Sequence, residues 1–170
     1  MAKDLNKSSQ VLSIETVARI LSSEWFVRGK LNSIAFTLDP GESYLSVNRT
    51  AIESFKTDVE GFVKSHQSYA FGGDVYKLAM LNVGEIRGID CAVGATKMKV
   101  DVEVESRDAH TKSHAGIFTR FQNKNIKRGQ LLKAGPTSEE ISADTILLEV
   151  RMGLLEMATV EECQMATGKE

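Results

Sequence analysis

Two imidazoles and a carboxylate crowd into Asp108-Ala109-His110-Thr111-Lys112-Ser113-His114. Such a set holds a divalent cation when its members share a face, as His110 and His114 would at i, i+4 on a helix. The segment lacks the glutamate that zincins place between their histidines, Lys112 adds an opposing charge, and the residues lead directly into a strand-like run. A solvated loop is the plainer reading, and neither a metal nor a cofactor is assigned. His114 alone is the better candidate. It opens His114-Ala115-Gly116-Ile117-Phe118, where two small residues leave the backbone bare beside it. A histidine at a sheet edge titrates near neutrality and serves as general acid or base when a substrate reaches it. A histidine satisfied by a neighbouring backbone group is the structural alternative.

Arg49 closes the run SYLSVNR just before a helix-like segment, and Arg28 precedes Gly29 in a loop-like one. Guanidinium groups clamp phosphate through two parallel hydrogen bonds, and a helix start adds N–H donors and a favourable dipole. Ser46, Asn48, Arg49 and Thr50 thus form a candidate anion site, although surface salt bridges account for such arginines more simply. The stretch from Arg120 to Gln130 offers a different chemistry. Arg120, Lys124, Lys127 and Arg128 would neutralise phosphates while Phe121 stacks on a base. No RNP, KH or zinc-finger pattern accompanies them. No P-loop, GxGxxG or GxSxG is present either, and the glycines at 72–73 and 84–94 read as turns.

Charge is unevenly distributed. The net value of −2 conceals a segment, 109–136, with six basic and no acidic residues, followed by 137–170 with eight acidic and two basic ones. Fields act over about 8–10 Å at physiological salt, so this segregation says more about contacts than the total does. A polyanion is one partner for the basic segment; the molecule's own acidic C-terminal stretch is the other.

The elements that must position these residues follow from periodicity. Ser13 caps a predicted helix with Ile14, Val17 and Leu21 on one face. Residues 33–38 and 43–48 read as a hairpin about the turn Asp39-Pro40-Gly41-Glu42. Thr50-Ala51-Ile52-Glu53 matches a capping box, opening a helix that lines up Ile52, Phe55, Val59, Phe62 and Val63. Residues 75–83 read as a strand. Met98, Val100, Val102 and Val104 alternate with polar residues in a clearer one, and 114–121 forms a third. After Pro136, Thr137-Ser138-Glu139-Glu140 is a second capping box. Ile141, Thr145, Leu148, Met152 and Leu155 continue it at helical spacing, with a strand over 145–157 as the competing reading.

At 170 residues, 42% hydrophobic and 26% charged, with two prolines, the chain has the make-up of one globular domain. The expected organisation is a flexible segment 1–12, a domain 13–160 and a frayed tail 161–170. The expected fold is α+β, a largely antiparallel sheet of about five strands against about three helices. No apolar run approaches the roughly eighteen residues that span a bilayer, and no secretory leader is visible, which points to the cytoplasm. Cys91 and Cys163 form no CxxC pair and read as free thiols.

Arg28-Gly29, Ser33 to Phe36, Leu45-Ser46-Val47-x-Arg49 and His114-Ala115-x-Ile117 together resemble a pattern in small uncharacterised bacterial proteins. The resemblance covers residues 28–120. It implies a bacterial origin and marks Ser46, Arg49 and His114 as positions to test, but no activity. Two functions are therefore expected. One is a binding or accessory module that contacts nucleic acid or an acidic protein through 112–133, with homo-oligomerisation possible. The other is a small enzyme acting on a phosphorylated or nucleotide substrate, with His114 as acid/base and Arg28 and Arg49 as anion clamps.

Overall fold

The computed structural model describes residues 10–91, 99–109 and 111–166. Its centre is an antiparallel sheet in which β1 (Thr16–Ile20), β4 (Leu45–Arg49), β5 (Val75–Asn82), β6 (Val100–Ser106), β7 (His114–Phe121) and β11 (Thr159–Gln164) run in the order β11-β5-β1-β4-β7-β6. A short strand β8 (Lys124–Asn125) turns back onto the end of β7. Two small hairpins, β2 (Phe26–Val27) with β3 (Lys30–Leu31) and β9 (Leu131–Leu132) with β10 (Ile141–Ser142), lie outside this sheet. Among the described residues three α-helices complete the α+β fold: α1 (Phe55–Ser65), α2 (Val83–Arg87) and α3 (Ala143–Met157).

The sheet carries a core on each face. Alternation along β1 sends Val17 to one and Ala18 to the other. The larger core joins Val47, Leu81, Val102 and Ile117 of the strands to Ile146, Val150 and Leu154 of α3. The smaller one places Val59 and Val63 of α1 on Tyr76 and Leu78 of β5. Helix α1 packs its apolar side chains on the β1–β5–β11 side of its face and reaches β4 at the margin. Beyond it, β4, β7 and β6 present Ser46, Asn48, His114, Arg120, Glu105 and Glu103, the residues that alternate with their core-facing neighbours. That uncovered half is where a site is to be sought.

Several expected elements differ, each for a physical reason. The helix from Ser13 is the strand β1, paired with β4 and β5. The helical spacing of Ile14, Val17 and Leu21 arises by chance, since only Val17 lies within the strand. Ile14, expected on the buried helical face, is 86% exposed. The 33–48 hairpin is absent. Ser33–Phe36 forms a 3-10 turn instead, its first N–H groups served by Asn32 Oδ1, which accepts from Ile34 N at 3.1 Å. The turn at 39–42 does form, with Glu42 N donating to Asp39 O at 3.1 Å and Gly41 at φ +83°. Strand β4 pairs with β1 and β7 rather than with residues 33–38.

Neither capping box forms. Thr50 Oγ1 donates to Thr16 O at 2.9 Å, and α1 starts later, at Phe55. Helix α3 begins at Ala143, after β10, with no side-chain cap. The 145–157 ambiguity resolves as helix, but its buried stripe is Ile146, Val150 and Leu154, while Leu148 and Met152 are about half exposed. Part of the 84–94 turn region is the helix α2, capped by Asn82. The tail expected to fray from 161 is largely the edge strand β11, in register with β5 from Thr159↔Met80 to Gln164↔Val75. Of the expected flexible segment 1–12, residues 1–9 lie outside the described ones, and Val11 is buried in the larger core. Met98 also lies outside them; Val100, Val102 and Val104 face the core as the alternation requires.

Candidate functional site

A cleft of about 440 Å³ opens where α1 ends its cover of the sheet. Asp58 and Phe62 of α1 form one wall, and Ser46 and Asn48 of β4, with His114 of β7, form the other. The antiparallel register sets Asn48 opposite His114 and Ser46 opposite Gly116, so Ser46, Asn48 and His114 share a face. His114 Nε2 and Ser46 Oγ come within 3.3 Å, a contact whose donor depends on the imidazole tautomer. Gly116 permits this packing. A Cβ there would lie 2.5 Å from Cδ2 of Tyr44, whose ring covers the strand and sits 6.0 Å from the His114 ring.

The back of the cleft is a relay of hydrogen bonds. Asn48 Nδ2 donates to Ser113 Oγ at 2.9 Å, and Ser113 Oγ donates to Asp58 Oδ2 at 2.6 Å. Asp58 Oδ2 also accepts from Ser113 N at 3.1 Å and Ser54 Oγ at 2.9 Å. Burial works to raise the Asp58 pKa, but hydrogen bonds from Ser113 and Ser54 outweigh it and the carboxyl lies below its ordinary value. Asp58 is therefore a fixed anion that orients Ser113, and a poor base.

Arg19 reaches the same cleft from β1. Its Nε donates to Ala35 O at 2.5 Å and its Nη1 to Ser46 O at 2.8 Å, while the guanidinium lies 5.0 Å from the Trp25 ring centroid. Burial pulls its pKa down to about 10, against the opposing fields of Tyr69, Asp39 and Glu42, so it remains cationic at neutral pH. Asp39 and Glu42 line the rim beside it. The arrangement is a concave, partly charged recess with an imidazole and a hydroxyl side by side, enough to bind a small polar molecule and to carry a proton.

The other sequence candidates fall elsewhere. Arg49 is buried and bidentate on Glu15, with Nε to Oε1 at 2.9 Å and Nη2 to Oε2 at 3.0 Å, and it also donates to Gln10 O. Arg28 occupies the turn of the β2–β3 hairpin, where Arg28 and Gly29 both take positive φ, 52° and 78°. Neither lines the cleft that His114 lines; Arg19 does. Thr50 holds β1, as described. His110 lies outside the described residues, and among those described no group of three or more His, Cys, Asp or Glu is placed to hold a metal.

The basic stretch is divided between the two sides of the sheet. Arg120 Nη1 donates to Glu105 Oε1 at 2.5 Å and its Nε to Asn125 Oδ1 at 2.8 Å, with the guanidinium 4.9 Å from the Phe118 ring centroid. Its pKa is raised by that carboxylate, and the Glu105 pKa is lowered by the same bond. Arg128 lies on the α3 side, donating from Nη1 to Leu38 O at 3.2 Å. Lys124 and Lys127 are exposed, and Phe121 is buried in the larger core. Arg19, Asp58 and Ser113 escaped sequence reasoning. The signal for Arg19 was a lone charge inside the apolar run TVARIL, which is unusual for a strand interior unless the charge is used.

No helix among the described residues is long and apolar enough to cross a membrane. Comparison of the chain with protein-family models, with curated proteins and with solved structures gave no match.

Proposed function

We propose that the cleft beside α1 binds a small polar molecule and that His114 exchanges a proton with it, Ser46 and Arg19 orienting the reacting group. The observation that carries this reading is the pairing of His114 Nε2 with Ser46 Oγ inside a recess of ligand size. Asp39 and Glu42 offset the charge of Arg19, and Asp58 adds a further anion, so the recess suits a neutral or singly charged molecule better than a polyphosphate. An enzyme is preferred to a polyanion-binding module acting through 112–133. Arg120 is committed to Glu105, and Arg128 serves the opposite side of the sheet.

The test is ligand-observed NMR with mixtures of small polar metabolites, followed by imidazole-detected titration of each hit. The expected result is a ligand that shifts the His114 ring signals and binds about tenfold or more weakly to His114→Gln, the scale of one lost charge-assisted hydrogen bond. Hits that leave the His114 ring unmoved and bind His114→Gln equally would dispose of the proposal.

A further inference from the structure

A second cleft, of about 320 Å³, opens on the other side of the sheet between α3 and strands β4 and β7. Its floor is apolar, made by Leu38, Leu45, Ile117, Leu147 and Leu154. Two arginines enter it, Arg128 from the loop after β8 and Arg151 from α3. Among the described residues each is steadied by one hydrogen bond through Nη1, Arg128 to Leu38 O at 3.2 Å and Arg151 to Thr37 Oγ1 at 3.0 Å.

Arg151 Nε is shielded from solvent and has no hydrogen-bond acceptor among the described residues. A buried N–H of a charged group left in this state is costly, and such groups in folded proteins are nearly always satisfied by something. Asp144, the one carboxylate lining the cleft, already accepts from Gly129 N at 3.0 Å, and no ion pair from Asp144 to either arginine forms among the described residues. The cleft thus holds two cations against one anion over a hydrocarbon floor.

We propose that this cleft is a binding site for a small organic anion, a carboxylate on an aliphatic or aromatic body. The guanidinium of Arg151 is a planar fork of N–H donors of the kind that matches the two oxygens of a carboxylate. Arg128 adds a second cation, and the leucines take the apolar body. This site is independent of the His114 cleft and requires nothing of it.

Calorimetric titration of the full chain with octanoate, benzoate, octylamine and acetate tests the proposal. Octanoate or benzoate should bind, octylamine should not, and acetate, lacking the body, should bind at least about tenfold more weakly than the better carboxylate. Arg151→Met keeps the apolar stem and removes the orphaned N–H, so it should fold at least as well as the native chain yet lose about tenfold or more in carboxylate affinity. Arg151→Lys, which keeps the charge but not the fork, should also weaken binding, whereas His114→Gln should leave it unchanged. Arg128→Met and Leu147→Trp, the latter filling the cleft, carry the test should Arg151→Met fail to fold. Overturning results are a native chain that prefers octylamine or takes up neither carboxylate, or folded Arg151 and Arg128 variants that bind as the native chain does.

Discussion

Asp58 shows how a residue that looks like helix surface in the sequence becomes an anchor. Its carboxylate collects Ser113 Oγ, Ser113 N and Ser54 Oγ, and through Ser113 it fixes the start of β7 and therefore His114. A carboxyl whose pKa is lower folded than unfolded adds stability that is complete above the unfolded value, 3.8, and fades as pH falls through the folded one. Asp58 is only partly buried, so Asp58→Asn should cost about 0.5–1.5 kcal/mol near neutral pH, the usual net worth of a hydrogen bond. Urea denaturation of both chains from about pH 7 to pH 3 should show the gap narrowing only below about pH 4. A gap that stays constant over the range would mean that the charge of Asp58 contributes nothing. Arg49 has the same anchoring character. Bound bidentately to Glu15, it ties the segment before β1 to the end of β4, while Arg19 is the arginine that lines the His114 cleft.

Helix α3 tests how a local propensity is overruled. Gly153 interrupts an apolar stretch that sequence periodicity reads as helix or strand, yet the helix runs through it from Ala143 to Met157. Packing of Ile146, Val150 and Leu154 on the larger core supplies what glycine withholds. A Cβ at Gly153 would meet the Ile89 side chain at 3.5 Å, an ordinary contact. Gly153→Ala should therefore stabilise the protein by about 1 kcal/mol and raise Tm by roughly 2–4 °C; a lower Tm in thermal denaturation would contradict this packing. Several elements were legible in sequence. Val100, Val102 and Val104 alternate as read, 114–121 is a strand over the residues foreseen, and α1 buries Val59 and Val63 as its spacing required. Strand β1 was illegible because Ile14, Val17 and Leu21 fall by chance at helical spacing while only Val17 lies within the strand. The two capping boxes misled because Thr50 binds a neighbouring strand and because β10 intervenes before α3. At the site, His114, Ser46 and Asn48 could be picked out from one strand pair. Asp58 and Ser113 could not, since they meet across 55 residues and neither carries a local signature.

The molecule as a whole is organised by the last strand in sequence, which is the first in the sheet. β11 adds a sixth long strand at the edge beside β5, and Cys163 and Met165 pack on the smaller core with Tyr76 and Leu78. Met165 N also donates to Asp74 O at 2.7 Å, and Ala166 N to Glu60 Oε1 at 3.2 Å, which joins this strand to α1 and so to the wall of the His114 cleft. Its acidic residues do not screen the basic stretch, since β11 and β7 are separated by β5, β1 and β4. Removal of residues 159–170 should thus do more than trim an end. It would strip β5 of its neighbour, expose a row of unpaired backbone groups as a new edge, and bare the apolar side chains beneath α1. The shortened chain should lose several kcal/mol of stability and become prone to aggregate, as buried edges do when uncovered. Its Tm and sedimentation profile beside those of the full chain decide the matter. A shortened chain that melts with the full one and remains monodisperse would show that the sheet is complete without β11, and that the α1 wall of the cleft is held by the helix alone.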